Sequence, residues 1–195
     1  MGFRDDIDFV LKNTINREST WLFSATMPPE VRAISRNYME NPKEVTVGKK
    51  NSGNVNIDHQ FFVVPASQRY EALKRLIDFN PGMYGIIFTR TKADAQEVSE
   101  RLAKSGYEIE ALHGDLSQQQ RDKVMGRFRS KNLQLLIATD VAARGIDVDG
   151  ITHVINFELP DDMEVYTHRS GRTGRAGKTG ICLSICHSRE TYKIK

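Results

Sequence analysis

From Val55 onward the chain alternates between short apolar-rich runs and stretches of helical spacing, and this alternation limits the possible folds more than any other feature. The runs are HQFFVV at 59–64, YGIIF at 84–88, EIEALH at 108–113, LQLLIAT at 133–139, ITHVINF at 151–157 and GICLSIC at 180–186. Between them, residues 67–79 place Tyr70, Leu73, Leu76 and Ile77 on one helical face, and residues 92–105 form a helix that ends at Gly106, a candidate left-handed cap. Ser117 and Gln120 stand at capping-box spacing ahead of a helix with Val124, Met125 and Phe128 inside. Apolar strands linked by helices predict an open α/β domain, a mostly parallel sheet with helices on both faces and right-handed crossovers. Ligand sites in such a sheet gather beyond the carboxyl ends of the strands. The candidate loops are 89–92, 113–115 and 139–147, together with the helix-to-strand loop 171–177.

The residues before Val55 follow a different pattern. Ile7, Val10, Leu11 and Ile15 recur at helical spacing behind Asp5 and Asp6, acids that suit a helix start. TWLFS at 20–24 has strand composition, Pro28 and Pro29 open a second helix with Val31, Ile34 and Tyr38 on one face, and Asn41 and Pro42 stop it. EVTV at 44–47 then leads into a polar, basic, glycine-bearing stretch that reads as a linker. One strand and two helices cannot bury a sheet. Residues 1–48 therefore read as the closing part of one domain, 49–54 as a linker and 55–195 as a second domain.

HRSGRTGR at 168–175 packs three arginines and two glycines into eight residues. Guanidinium forks fit phosphate oxygens and interleaved glycines let the backbone approach closely, so the segment is suited to a polyphosphate. A solvated basic loop would look the same in isolation. The net charge of +3 is compatible with a nucleic-acid partner without demanding one. No run reaches the length of a membrane span and the start lacks a signal-peptide layout, so a cytoplasmic protein without a membrane partner is expected. Cys182 and Cys186 share one face of a strand, too far apart for a disulfide, and read as core residues; no metal site is expected. GKTG at 177–180 is not a P-loop, because Arg172 stands where that motif needs its first glycine and a strand follows instead of a helix.

SAT at 24–26, ATDVAARGID at 138–147 and HRSGRTGR at 168–175 resemble, in order, the motifs of a DEAD-box ATP-dependent RNA helicase. The likeness runs from Met1 to about Ser188. It implies that residues 1–48 close the first RecA-like domain and that 55–195 form the second, a RecA-like open sheet. It also implies that ATP and Mg2+ are bound mainly by parts of the first domain not in this sequence, which has neither a P-loop lysine nor the DEAD carboxylates.

By the same resemblance, Arg172 and Arg175 act as arginine fingers on the ATP γ-phosphate, and Asp147 meets the ribose. Thr91, Gly114, Arg121 and Thr139 touch the RNA backbone without sequence preference, and Gln118 belongs to the same motif as Arg121. Ser24, Thr26 and His168 couple the N-terminal RecA-like domain to this one. Phe88 suits either the core or the arginine loop. Ser170, where many relatives carry an aliphatic residue, is expected to matter little. The expected function is the C-terminal half of an RNA-unwinding ATPase, inactive alone; a non-enzymatic RNA-binding or partner-docking module and a DNA helicase remain open alternatives.

Overall fold

Strands and helices form where the apolar spacing demands burial, and the two parts of the chain differ in how much burial they achieve. The computed structural model describes residues 4–24, 27, 29–46 and 55–194, and the chain divides into two units, Met1–Ser52 and Gly53–Lys195.

The first unit holds α1 (Arg4–Asn13) and α2 (Pro29–Tyr38). Asp5 and Asp6 occupy the first turn of α1, and the Tyr38 hydroxyl donates to the Asp8 carboxylate. Val31, Ile34 and Tyr38 form the half-buried face of α2 while Arg32 and Arg36 are exposed, as their spacing implies. Residues 20–24 form no strand, contrary to expectation, and 43–46 are equally irregular. A strand needs a neighbouring ladder, and among the described residues of this unit none exists. Trp21 and Phe23 are accordingly exposed, and Ile15 lies beyond the end of α1 in solvent.

In the second unit the chain runs β1 (Ile57–Val63), α3 (Arg69–Phe79), β2 (Gly85–Thr89), α4 (Lys92–Lys104), β3 (Ile109–Leu112), α5 (Gln118–Arg129), β4 (Leu135–Thr139), β5 (His153–Asn156), α6 (Met163–Ser170) and β6 (Gly180–Cys186). The six strands form one sheet in the order β1-β6-β5-β2-β4-β3, and every pairing is parallel. Residue alternation splits the core between the two faces: Ile86 and Phe88 pack with Val124 and Phe128 of α5, and Ile87 packs with Leu73 of α3 and Val98 of α4. Each such fully buried side chain contributes roughly 1.5–3 kcal/mol relative to exposure. Gly106 ends α4 at φ +90°, and Ser117 and Gln120 form the reciprocal capping box at the start of α5. No described helix is long and apolar enough to cross a membrane.

Gly180 is needed for a close approach. A β-carbon there would lie 2.1 Å from Thr173 Oγ1 and 2.6 Å from the Gly174 nitrogen, while the Thr173 hydroxyl is itself fixed by donating to the Ile151 carbonyl at 2.6 Å. Gly180→Ala is expected to lower the unfolding free energy by about 2 kcal/mol, the usual cost of overpacking a tight site. Urea titration reads this directly, and an unshifted midpoint would contradict it.

His153, at the start of β5, is buried with Nδ1 on Thr152 Oγ1 at 2.7 Å and no protein partner for Nε2. Burial lowers its pKa below the usual value. The unfolded chain therefore binds the proton first, so stability is full above about pH 6.5 and falls as pH drops through the depressed folded value. His59, also lowered mainly by burial and opposed by Asp58, adds in the same direction. The thermal midpoint should fall between pH 7.5 and pH 5, and His153→Gln should flatten that slope; an identical slope in the variant would contradict the assignment.

Candidate functional site

Thr91, Gly114 and Thr139 come from three different connections, and the sheet sets them side by side. Thr91 caps α4 directly after β2, its hydroxyl accepting from the Asp94 amide at 3.1 Å; Gly114 lies just beyond β3; Thr139 ends β4. Since β2, β4 and β3 are consecutive in the sheet, the three residues follow the carboxyl ends of three adjacent strands. Thr91 and Gly114 are exposed and Thr139 is half-buried, and a β-carbon at Gly114 would meet nothing within 4 Å. Lys92 pairs with Asp115 at 2.8 Å across this row, which holds the Asp115 carboxyl below its usual range through the hydrogen bond and charge of the ammonium.

Arg121 reaches the same region from α5, donating from Nη2 to the Ala142 carbonyl at 3.0 Å. That bond braces the loop after β4 and occupies one of the five guanidinium donors. Gln118, in the first turn of α5, donates to Asp122 at 2.8 Å. Sequence spacing gave no sign that Arg121 also supports the backbone.

A second group forms where residues 140–152 return from β4 to β5. Arg172 donates to the Ile146 carbonyl at 2.8 Å, and Arg175 donates to the Gly171 carbonyl at 2.8 Å and to Asp147 at 3.0 Å. The structure thus brings Arg172, Arg175 and Asp147 together. Arg175 pairs with Asp147 while Arg172 is held by a neutral carbonyl, so a net positive charge remains. Burial, and then the neighbouring Arg175 cation, lowers the Arg172 pKa, with Asp147 opposing them. The Arg175–Asp147 pair is open to solvent and adds little to stability. A cleft of about 160 Å³ lies between residues 148–152 and 172–179. It adjoins a hollow of about 450 Å³ lined by Arg129, Lys131, Asp147 and Lys178 among others, with no aromatic side chain in its wall. The Arg129, Lys131 and Lys178 cations in this wall suit phosphate oxygens.

Arg169 was not singled out by its sequence, yet it has the most partners of the three arginines. It is buried to 2% exposure and holds both Asp140 oxygens, Nε at 2.6 Å and Nη2 at 2.8 Å. Its Nη1 donates to Asn156 Oδ1 at 3.0 Å and to the Glu158 carbonyl at 2.8 Å, and the guanidinium sits 5.1 Å from the Phe88 ring centroid. Phe88 therefore serves both the core and this cluster. The available signal was helical: with Asp162 as cap, Tyr166, Arg169 and Ser170 fall at i, i+3 and i+4 on the inner face of α6. Ser170 is buried and its hydroxyl donates back to the Thr167 carbonyl at 3.2 Å.

His168 is exposed at the end of α6, outside both groups. Ser24 is exposed in the irregular stretch of the first unit, and Thr26 lies outside the described residues. Lys178 precedes β6, in agreement with the rejection of a P-loop. Cys182 and Cys186 are buried free thiols, and burial pushes Cys182 up to about 11, so it remains a neutral core thiol at ordinary pH. Among the described residues no group of three or more His, Cys, Asp or Glu side chains is arranged to hold a metal.

Residues 68–177 match the family model of the helicase conserved C-terminal domain. Over 195 residues the chain is 43% identical to the DEAD-box ATP-dependent RNA helicase CshA of Bacillus subtilis, covering all of this chain and 40% of that protein. A crystal structure of a DEAD box protein from Methanococcus jannaschii superposes with a TM-score of 0.69 at 43% identity, over 100% of this chain and 52% of that one. Dbp5 of S. cerevisiae, bound to RNA and ADP-BeF3, gives a TM-score of 0.79 at 31% identity over 89% of this chain and 46% of its own. The chain spans about two-fifths of the length of the curated relatives it matches.

Proposed function

The chain belongs to the helicase conserved C-terminal domain family, in the form carried by DEAD-box helicases, and on that premise we propose that it is the C-terminal part of an ATP-dependent RNA helicase. The observation that carries the reading is the convergence of Arg172 and Arg175 on the Asp147 loop, two guanidinium forks that suit phosphate oxygens beside a carboxylate that suits a ribose hydroxyl. The charged side chains around the neighbouring hollow fit phosphate and sugar, and the base is left to another surface, the N-terminal RecA-like domain. When that surface closes, the two guanidinium groups stabilise the charge that builds on the transferred phosphoryl group. Magnesium is assigned to acidic groups outside this chain.

Thr91, Gly114, Thr139 and Arg121 form the RNA side. Hydroxyls, an open glycine backbone and a guanidinium bind phosphate and sugar and carry no base information. Ser24, Thr26 and His168 are assigned to coupling between the two domains. Residues 1–48 belong in this reading to the first domain, 49–54 to the linker and 55–195 to the second. The protein works in the cytoplasm.

Fluorescence anisotropy of this chain with labelled single-stranded oligoribonucleotides tests the RNA side. Unrelated sequences should bind alike, with log affinity falling against log salt by roughly 0.7 per phosphate neutralised, and Arg121→Gln with Thr139→Ala should weaken them all equally. Binding that prefers one base sequence, or that ignores both substitutions, would contradict the assignment.

A further inference from the structure

Arg129, Lys131 and Lys178 line the hollow beside Asp147, and we infer that this hollow is a second phosphate site, separate from the arginine pair, for a small ligand carrying two or more phosphate groups. At about 450 Å³ it has the size of a small-molecule site. Arg175 already takes the Asp147 carboxylate at 3.0 Å, and among the described residues none of the three lining cations has a carboxylate partner. The only other acid in the wall is Asp149, so the cations there outnumber the charge that could neutralise them. Arg172 and Arg175 line the neighbouring cleft of about 160 Å³ and not the hollow; the two spaces share residues 148–150 and Lys178. In the functional reading above, the γ-phosphate of ATP belongs to the arginine pair and its ribose to Asp147. The cations of the hollow are left for a further phosphate group.

The backbone presents these cations from two costly turns. α5 ends in a Schellman motif, the Asn132 amide donating to the Arg127 carbonyl and the Lys131 amide to the Phe128 carbonyl, both at 3.0 Å. Lys131 is the left-handed residue of that motif at φ +59°, the position glycine normally takes. Glycine would make the same turn with less strain; what lysine adds is the ammonium, 5.7 Å from the Tyr84 ring centroid. Lys178 leaves a second tight turn, closed by its amide donating to the Arg175 carbonyl at 3.0 Å, in which Ala176 is left-handed at φ +52°. The described residues hold three left-handed positions that are not glycine, and two of them thus lie in the turns that carry this cation group. Backbone strain of this kind gathers where a ligand is held. The negative end of the α5 dipole favours Arg129 and Lys131, but Lys178 comes from the turn before β6 and owes nothing to that helix.

Isothermal titration calorimetry of this chain with inorganic tripolyphosphate tests the site. Affinity should fall about tenfold or more in Lys131→Gly, and likewise in Lys178→Gln, the scale of one charge-assisted hydrogen bond. Lys131→Gly should keep or raise the thermal midpoint, since glycine suits the left-handed turn, so its lost affinity would not come from lost folding. Lys123→Gln removes an exposed cation of α5 outside the hollow and should bind as wild type does. Absence of tripolyphosphate binding, or an equal loss in Lys123→Gln, would overturn the inference. So would a loss in Arg172→Ala with Lys131→Gly and Lys178→Gln unchanged, by placing the anion at the arginine pair. Adenosine 3′,5′-bisphosphate against adenosine 5′-phosphate separates two origins of the ligand. A gain from the 3′-phosphate that disappears in Lys131→Gly supports the site with a ribose-borne phosphate; tripolyphosphate binding without that gain supports it with a free polyphosphate. Only the nearness to a ribose rests on the functional reading: tripolyphosphate binding here, in a chain whose longer protein shows no RNA-dependent turnover, would end that reading and leave this inference standing.

Discussion

Replacing Arg172 with alanine is expected to lower RNA-stimulated ATP turnover about a thousandfold, the scale of an arginine finger in phosphoryl transfer. The expectation comes from placement and charge together. Arg172 is half-buried and held by the Ile146 carbonyl, and the nearby Arg175 takes the Asp147 carboxylate for itself. A guanidinium in that setting has lost part of its water and keeps donors free for phosphate oxygens, so it gains most when negative charge grows opposite it. Arg172→Lys keeps the charge and loses the planar fork, and should recover only a minor part of the rate. Steady-state kinetics separate the effects: the loss should fall mainly on kcat, with the KM for ATP changed far less. A variant with wild-type kcat would remove Arg172 from the chemistry.

Arg169→Ala is expected to cost about 3–5 kcal/mol of folding stability, the range for breaking a buried, hydrogen-bonded ion pair. The change deletes a side chain at 2% exposure and leaves Asn156 Oδ1, the Glu158 carbonyl and one face of Phe88 without their partner. Asp140 is partly solvated, which favours the lower half of that range. For a chain of this length each kcal/mol moves the thermal midpoint by roughly 2–4 °C, so the drop should be about 10 °C. The solvent-open pair Lys92–Asp115 makes the contrast, and Lys92→Ala should leave the midpoint unmoved. Calorimetry on the three proteins measures both effects, and equal midpoints for wild type and Arg169→Ala would contradict the central role given to this buried pair.

The periodic signals in the sequence correspond to elements that bury side chains. YGIIF and LQLLIAT became central strands because uninterrupted apolar runs are stable only when both faces are covered. Ser117 and Gln120 marked the start of α5 because capping is local chemistry. TWLFS had the same composition as a strand but no neighbour to pair with among the described residues, and strand formation is decided by partners as much as by residues. The candidate site divides along the same line. Arg172 and Arg175 were visible as a dense motif, and Asp147 followed from resemblance. Arg169 was hidden inside that motif because three arginines in eight residues look alike until a helix register sorts them. Arg121 kept its place near the loop after β4, but its bond to the Ala142 carbonyl depends on a loop path that no local pattern encodes.

The most direct test of the account is ATP hydrolysis, with and without single-stranded RNA, by the protein that unites this chain with a nucleotide-binding first domain, measured beside the 195-residue chain alone. The account predicts RNA-stimulated turnover in the first, lost on Arg175→Ala, and none in the second, which has no P-loop lysine and no DEAD carboxylates. Turnover by the isolated chain, or stimulation unchanged by Arg175→Ala, would contradict the claim that this domain supplies the arginines and not the nucleotide pocket.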